Sequence, residues 1–316
     1  MNADEPGRVF VSCNAPRTMS TKALRWGYRR SSAFIGGFTA FCITTSIAAP
    51  ITVTDDLGRR VEMKAPAKRI VTLAPFLTEL AYSAGAGARL VGVSAYSDYP
   101  AEAKRLPSVA TAVTVSIEPL VALHPDLVLA WRDTIRPEDI ERLERFGVAV
   151  VVIQARRLAD VPRVLDLLGR LTALDVASVA EAYRARLEAL RRARAGQVPI
   201  RAFLEIWHRP LTTIAGEHWM NEALELCGGA NVFRELAGVA PVVSWEEVYA
   251  RDPRVVVGAG SAASAAEFTA NWKERATLAA ARDRRLVFVD ADTIQRPTLR
   301  LVQGIAQLCA GLDRVR

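Results

Sequence analysis

The stretch VSIEPLVALHPDLVLA, from Val115 to Ala130, occurs a second time as VSWEEVYARDPRVVVG, from Val243 to Gly258. The two copies align without a gap. Each has a serine, a glutamate two positions later, and apolar residues at helical spacing before a short apolar run typical of a buried strand. A helix and strand that recur in the two halves of a chain predict an α/β fold with two lobes.

Apolar strands alternate with helical patterns on both sides of this repeat. In the first half, RIVTLAP (69–75), DLVLAW (126–131) and VAVVVIQA (148–155) have almost no polar face. In the second half, RVVVGA (254–259) and RLVFVDA (285–291) follow the same pattern. Strands that are apolar on both faces are typical of a parallel sheet covered by helices on each side. We therefore predict two Rossmann-like lobes, each with a central parallel sheet.

The segment between the two lobes has a different composition. Residues 158–195 contain no convincing helix stop, and their second half is rich in Ala, Arg, Glu and Leu. One continuous helix here would be roughly 50 Å long, which suits a bridge between lobes; two helices broken near Thr172–Asp175 are the alternative. The predicted division of the chain is a leader over 1–49, a first ligand-binding lobe over 50–156, a linking helix over 157–197 and a second ligand-binding lobe over 198–316.

The basic surplus of the chain lies mainly at its beginning. The net charge is +7, and the first 50 residues contain six basic and two acidic side chains. Three arginines precede SSAFIGGFTAFCITTSIAAP (31–50), which is apolar and closes on small residues. This order is typical of a secretory signal peptide, so we expect export to the periplasm; an uncleaved anchor is the alternative. The rest of the chain has no basic stripe interleaved with aromatic residues, so we expect no nucleic-acid partner.

Removal of the leader changes the cysteine count. Cys13 and Cys42 lie within it, so the mature chain keeps Cys227 and Cys309. In an oxidising compartment such a pair is a disulfide candidate. Two buried free thiols are the alternative, because spacing alone does not separate them.

The repeated helix start has two interpretations. Ser116 and Ser244 can each cap a first turn, and Glu118 and Glu246 lie favourably near the positive end of the helix dipole. This local role accounts for the serines. Equivalent acidic side chains on two lobes would also suit a pseudo-symmetric partner with basic pockets.

Five segments together resemble a known family: RIVTLAPFLTELAYSAG, VGVSAYSDYP, SIEPLVALHPDLVLAWR, ELCGGANVF and QLCAGL. From about Lys68 to its end, the chain resembles the periplasmic binding proteins of the helical-backbone class (class III), most closely their cobalamin-binding branch. The resemblance implies two lobes joined by one long backbone helix. It also implies that a ligand is bound between the lobes and delivered to the permease dimer of an ABC importer, without catalysis and without a cofactor.

The resemblance also implies roles for individual residues. The matching positions for docking onto arginines of the importer are Glu118 and Glu246, and the family's disulfide falls on Cys227 and Cys309. In the cleft, Tyr96 and Trp131 would offer flat surfaces to a corrin or porphyrin, and Asp292 and Arg296 would hydrogen-bond its amide or carboxylate edge.

Two departures from the cobalamin-binding branch concern the cargo. Ala112 and Ala240 stand where that branch has tryptophans, so we expect a more open cleft. Trp207 and Trp219 are the candidates to compensate, and packing is the alternative role for each. We expect a monomer whose cargo is cobalamin, with haem or a ferric siderophore as the alternative.

Two further motifs point to other chemistry. The histidines His124, His208 and His218 lack nearby cysteine or acidic support, so we expect no metal site. GAGSAA (258–263) follows a strand and fits the loose dinucleotide fingerprint, but no acidic residue ends a strand about 20 positions later. An exported NAD-type enzyme is therefore the weaker alternative function.

Overall fold

The computed structural model describes residues 50–194 and 196–316, so the predicted leader lies outside the described residues. An antiparallel hairpin opens this part of the chain and precedes the first parallel sheet. The strands of this half are β1 (Ile51–Thr54), β2 (Arg60–Met63), β3 (Ile70–Thr72), β4 (Leu90–Ser94), β5 (Ser108–Ala110), β6 (Leu127–Trp131) and β7 (Ala149–Ile153). Its helices are α1 (Pro75–Ser83), α2 (Ile117–Ala122) and α3 (Pro137–Arg145), followed by α4 (Asp160–Thr172) and α5 (Ala177–Arg192).

The second half repeats the alternation of strand and helix. Its strands are β8 (Ile200–Glu205), β9 (Trp207–His208), β10 (Leu211–Thr212), β11 (Gly229–Asn231), β12 (Val255–Gly260) and β13 (Leu286–Asp290). Its helices are α6 (Trp219–Leu226), α7 (Trp245–Arg251), α8 (Ala265–Lys273), α9 (Ala279–Arg282), α10 (Ala291–Ile294) and α11 (Leu301–Val315). Short 3₁₀ turns lie at Gly87–Arg89, Ala101–Arg105 and Ala262–Ser264.

Each half forms one parallel sheet, as the apolar strand patterns predict. The first sheet has the strand order β5-β4-β3-β6-β7, and the second has the order β11-β8-β12-β13. Every neighbouring pair in both sheets is parallel. The chain reverses its winding direction between β3 and β6 in the first sheet and between β8 and β12 in the second. Such switch points open a crevice beyond the carboxyl ends of the strands, where α/β proteins bind ligands.

The prediction of one long linking helix is wrong, because α4 and α5 are separate helices. The break occurs at Ala173, whose backbone is left-handed with φ 54 and ψ 35. Asp175 then accepts a hydrogen bond from the backbone N–H of Ala177 at 3.0 Å and helps to start α5. The chain folds back closely at Gly169, where a Cβ would lie 2.8 Å from a methyl carbon of Val176. The glycine therefore allows a tight reversal, and the break falls where the alternative interpretation placed it.

One hydrophobic cluster extends through both halves of the described chain. It includes Leu129 of the first sheet, Leu165 of α4, Tyr183 of α5 and Leu204 of the second sheet. Two smaller clusters lie one in each half, around α2 and α3 and around α7 and α8. The two lobes therefore share a core through the linking helices.

The disulfide lies in the second half. Cys227 ends α6 and Cys309 lies within α11, and both are fully buried. Their sulfur atoms are bonded at 2.06 Å, which is the pairing that the resemblance implies.

Candidate functional site

The carboxyl edges of the two sheets face each other. Asp98 follows β4 and Arg296 follows β13, and Nη1 of Arg296 lies 2.6 Å from Oδ1 of Asp98. A second ion pair joins Arg300 to Glu79 of α1, with Nε and Nη2 each 2.7 Å from a carboxylate oxygen. Because Glu79 and Asp98 belong to the first half of the chain and Arg296 and Arg300 to the second, the two ion pairs join the facing sheet edges into one cleft.

The first wall of the cleft presents Tyr96. Its side chain is 81% exposed, and its backbone has a left-handed φ of 63. The next residue, Ser97, is buried, and its Oγ lies 2.9 Å from the hydroxyl of Thr78, which lies 2.7 Å from the hydroxyl of Thr72. This chain of hydroxyl groups holds the loop below Tyr96, so the strained residue turns its ring outward.

Trp131 ends β6 at the switch point of the first sheet. Its ring is half-buried and meets Phe76 edge-on, with 5.7 Å between the ring centres. Its indole N–H is buried and has no hydrogen-bond partner within residues 50–194 and 196–316. Tyr96, which follows β4, and Trp131, which ends β6, therefore lie at the carboxyl ends of the two strands that flank β3.

The second wall contains a cavity of about 670 Å³ at the carboxyl ends of β8, β12 and β13. Trp207 lines it, is 65% exposed and donates its indole N–H to the carbonyl of Arg209 at 2.9 Å. Phe268, Phe288 and Gln295 also line this cavity. Trp207 therefore presents its ring at the switch point of the second sheet.

A buried acid in this wall was missed by the sequence analysis, and the expectation that His208 lacks acidic support is wrong. Glu205 at the end of β8 accepts a hydrogen bond from the indole N–H of Trp272, and its Oε1 lies 3.1 Å from Nδ1 of His208. Burial raises the pKa of Glu205, although Trp272 and His208 favour its charged form. The available signal was the single acidic residue within the apolar strand AFLEI (202–206).

Trp219 lies apart from the cleft surface. It is only 4% exposed, and its indole N–H donates to the carbonyl of Ile294 at 3.0 Å. The preceding residue, His218, is also buried and caps α6 by accepting from the backbone N–H of Met220 at 3.2 Å. This geometry corresponds to the packing role that the sequence left open for Trp219.

Asp292 and Arg296 lie next to each other beyond β13. Nη2 of Arg296 is 3.2 Å from Oδ1 of Asp292, in addition to the bond with Asp98. The arginine side chain is 18% exposed and the Asp292 side chain 55% exposed. The guanidinium is thus held between carboxylates from the two lobes and keeps further N–H groups for other acceptors.

The two repeated glutamates occupy the same position in their helices. Glu118 and Glu246 are the second residues of α2 and α7, and both are exposed. Neither has an ion-pair partner in the part of the chain that the structure describes. The prediction that both serines cap is right for Ser244, whose Oγ accepts from the backbone N–H of Glu247 at 3.2 Å, and wrong for Ser116.

Another large cavity does not belong to the cleft. It has about 1140 Å³ and lies among α4, α5 and α6, lined by side chains such as Arg163, Arg191 and Glu222. None of the predicted ligand-contacting residues lines it. We therefore assign the candidate site to the facing sheet edges rather than to this groove.

The glycines of GAGSAA have a packing role. A Cβ on Gly258 would lie 2.3 Å from the ring of Phe268, and one on Gly260 would lie 2.3 Å from Oγ of Ser264. Their lack of side chains makes room for these two neighbours.

Across the described residues, no group of three or more His, Cys, Asp or Glu side chains is arranged to hold a metal ion. No helix of residues 50–194 and 196–316 is long and apolar enough to span a membrane.

Two parallel-sheet lobes with facing carboxyl edges define the fold of the bilobal α/β binding proteins. The model of the periplasmic binding protein family matches residues 70–293, and the chain belongs to this family. The vitamin B12-binding protein of Vibrio cholerae is 35% identical over 249 residues, which cover 78% of this chain and 90% of that protein.

Solved structures agree with this fold. The crystal structure of the periplasmic vitamin B12 binding protein of Vibrio cholerae matches with a TM-score of 0.72 at 35% identity, over 79% of this chain and 98% of that one. A periplasmic haem-binding protein from Pseudomonas aeruginosa matches with a TM-score of 0.67 at 28% identity, over 78% of this chain and 92% of that one. These relatives are named as binding proteins rather than as enzymes.

Proposed function

We propose that this protein is a periplasmic solute-binding protein that captures a corrinoid, cobalamin, between its lobes and delivers it to an ABC importer. The observation that supports this most strongly is the pairing of exposed aromatic rings and hydrogen-bonding groups on two facing sheet edges. The similarity to proteins named for vitamin B12 binding supports the choice of cargo. The work of such a protein is affinity and docking, without a chemical step and without a cofactor.

The chemistry of the two walls suits a large flat ligand with a polar rim. Tyr96, Trp131 and Trp207 offer apolar ring faces, which stack well on a conjugated macrocycle. Asp292 and Arg296 supply an acceptor and a set of rigidly held donors for the amide groups at its edge. Ala112 and Ala240 are exposed and offer no stacking surface, and in this proposal Trp207 supplies part of it.

Delivery would use the paired glutamates. Glu118 and Glu246 are exposed at equivalent helix starts on the two lobes, so a permease dimer with one arginine pocket per subunit could accept both. The lobes in this proposal are residues 50–156 and 198–316, linked through 157–197. The disulfide between Cys227 and Cys309 favours an oxidising compartment such as the periplasm, with the monomer exported through a leader over residues 1–49.

The binding proposal is tested by titrating the purified protein with cyanocobalamin in a calorimeter. We expect saturable binding, weakened at least tenfold by Trp131→Ala and by Trp207→Ala because each removes a stacking surface. Phe146→Ala is the matched control, since Phe146 is an aromatic residue that is 62% exposed at the end of α3, outside the cleft. No binding of cyanocobalamin, or equal losses in all three variants, would contradict the proposal.

Haem is the second candidate cargo, and His208 is the observation that favours it. This histidine lines the cavity of the second wall, with Nδ1 held by Glu205. A titration with haemin under the same conditions separates the two cargoes. Binding of haemin without a response to cyanocobalamin would replace the corrinoid by haem and leave the transport role in place.

A further inference from the structure

We propose that Asp98 sets the cargo preference of the cleft, by cancelling the charge of Arg296 so that a carboxamide-rimmed ligand is preferred to a carboxylate-rimmed one. This inference rests on the proposed corrinoid-binding function and adds a residue to it. Asp98 is not a predicted ligand contact, and its role is to determine what Arg296 offers to the cargo.

The geometry places Arg296 between two carboxylates. Oδ1 of Asp98 reaches across the cleft to Nη1 at 2.6 Å, and Oδ1 of Asp292 lies 3.2 Å from Nη2. A guanidinium has five N–H donors, so these two bonds leave donors free. Those donors can bind the oxygen of an amide, but the positive charge that would attract an anion is already matched.

Asp98 is ionised at neutral pH. Its partial burial opposes ionisation, but the hydrogen bond and charge of Arg296, with a smaller effect of Lys104, outweigh burial and hold the pKa of Asp98 below its usual value. The neighbouring cation is matched as well, because Arg300 is bound by both oxygens of Glu79. Neither Arg296 nor Arg300 therefore offers an unmatched positive charge to a ligand in the cleft.

The cavity of the second wall adds no strong attraction for anions. Glu205 and Glu267 line its cavity together with His208 and the exposed Arg209. Arg209 has no ion-pair partner within the described ranges 50–194 and 196–316, but it lies at the rim. A cargo carboxylate next to Arg296 would thus meet Asp98 and Asp292 at close range, and like charges in a partly desolvated cleft repel. An uncharged carboxamide of the same size avoids this repulsion.

The test compares two cargoes that differ by one group. Cyanocobalamin and its monocarboxylic acid, in which one peripheral amide is hydrolysed, are titrated into the wild-type protein and into Asp98→Asn at pH 7. We expect the wild type to bind the amide form at least tenfold more tightly than the best-bound acid isomer. In Asp98→Asn the ratio should fall to about threefold or less, because only Asp292 then faces Arg296 and the repulsion of a cargo carboxylate is weaker.

The matched control is Asp166→Asn. Asp166 pairs with Arg184 at 2.8 Å on the exposed faces of α4 and α5, so this variant removes an ion pair without touching the cleft. Its amide-to-acid ratio should equal that of the wild type. Thermal unfolding of each variant checks that the fold is retained.

The possible outcomes separate this inference from the proposed function. The inference is overturned if the wild type binds cyanocobalamin and its monocarboxylic acid equally well. It is also overturned if Asp98→Asn weakens the binding of both compounds by the same factor, because Asp98 would then only hold the lobes together. If neither form binds and haemin does, both the corrinoid function and the inference fail, because haemin has carboxylates on its rim. The proposal is supported if the amide-to-acid affinity ratio falls in Asp98→Asn and is unchanged in Asp166→Asn.

Discussion

His218 illustrates how one buried side chain links local structure to solution conditions. Its neutral ring caps α6, and burial together with the charge of Arg156 lowers the pKa of His218 to about 3. An imidazole in the unfolded chain has a pKa of about 6.5. Between these values the unfolded chain binds a proton that the native protein does not, so native stability falls as the pH falls below about 6.5.

We predict a loss of about 2 kcal/mol in unfolding free energy at pH 5 relative to pH 7 from this group alone. His218→Asn replaces the acceptor Nδ1 by an amide oxygen at the helix start and cannot gain a proton, so this part of the loss should disappear. The measurement is urea unfolding at pH 7, 6 and 5. His124→Asn is the control, since His124 is exposed and its φ of 48 suits asparagine. If the unfolding free energy of both variants falls between pH 7 and pH 5 as much as that of the wild type, the pH dependence has another origin.

The repeated helix start shows which part of an element could be predicted from the sequence. Ser244 begins α7 with a reciprocal pair of bonds to Glu247, at 3.2 Å and 2.7 Å. Ser116 begins α2 without a side-chain bond, because the third helical residue there is Pro119, which has no N–H to donate. The difference was visible in the letters SIEP and SWEE, but their similarity suggested equal caps.

This difference predicts unequal effects for two matched substitutions. Ser244→Ala should lower the free energy of unfolding by about 1 kcal/mol, because it removes the bond to the first turn of α7. Ser116→Ala should change it by less than about 0.5 kcal/mol, as is usual at exposed positions without a partner. Urea unfolding of the two variants measures both values. Equal losses would mean that the cap of α7 adds nothing to stability.

The linking segment shows where the sequence left two interpretations open. Its composition favours helix throughout, and the residues around Ala173 include no strong breaker. The reversal depends on contact between Gly169 and Val176, which forms only after the helices pack. Strands and their order along the chain were predictable from local apolar patterns, whereas this break depends on tertiary packing.

At the scale of the whole molecule, the two lobes share one core. The cluster that contains Leu129 and Leu204 passes through α4 and α5, so neither lobe has an entirely separate interior. The ion pairs from Glu79 to Arg300 and from Asp98 to Arg296 join the lobes again at the cleft. We therefore expect the described part of the chain to unfold as one cooperative unit.

Removal of the disulfide tests this cooperativity. Cys227 and Cys309 are 82 residues apart, and loop-closure entropy assigns about 4.5 kcal/mol to such a link. Replacing both by alanine should lower the stability of both sheets together. Hydrogen exchange of amides in β6 and in β12, followed by mass spectrometry, measures each sheet. Loss of protection in β12 alone would contradict a shared core.

The candidate site was predicted in part. The resemblance predicted Tyr96, Trp131, Asp292 and Arg296 as ligand contacts, and these residues lie at or just beyond the carboxyl ends of parallel strands, where crevices open. Asp98 was not predicted as a partner of Arg296, because their ion pair joins segments that are distant in sequence. Trp207 and Trp219 were equivalent candidates by residue type, and only the fold distinguishes the exposed ring from the buried one.

The most direct test of the corrinoid-binding claim is a crystal structure of the protein with cyanocobalamin. We predict that the corrin lies between the two sheet edges, in contact with Tyr96 and Trp131 on one wall and with Trp207 and Arg296 on the other. A ligand bound instead in the groove among α4, α5 and α6, or crystals without bound ligand at saturating concentration, would contradict it.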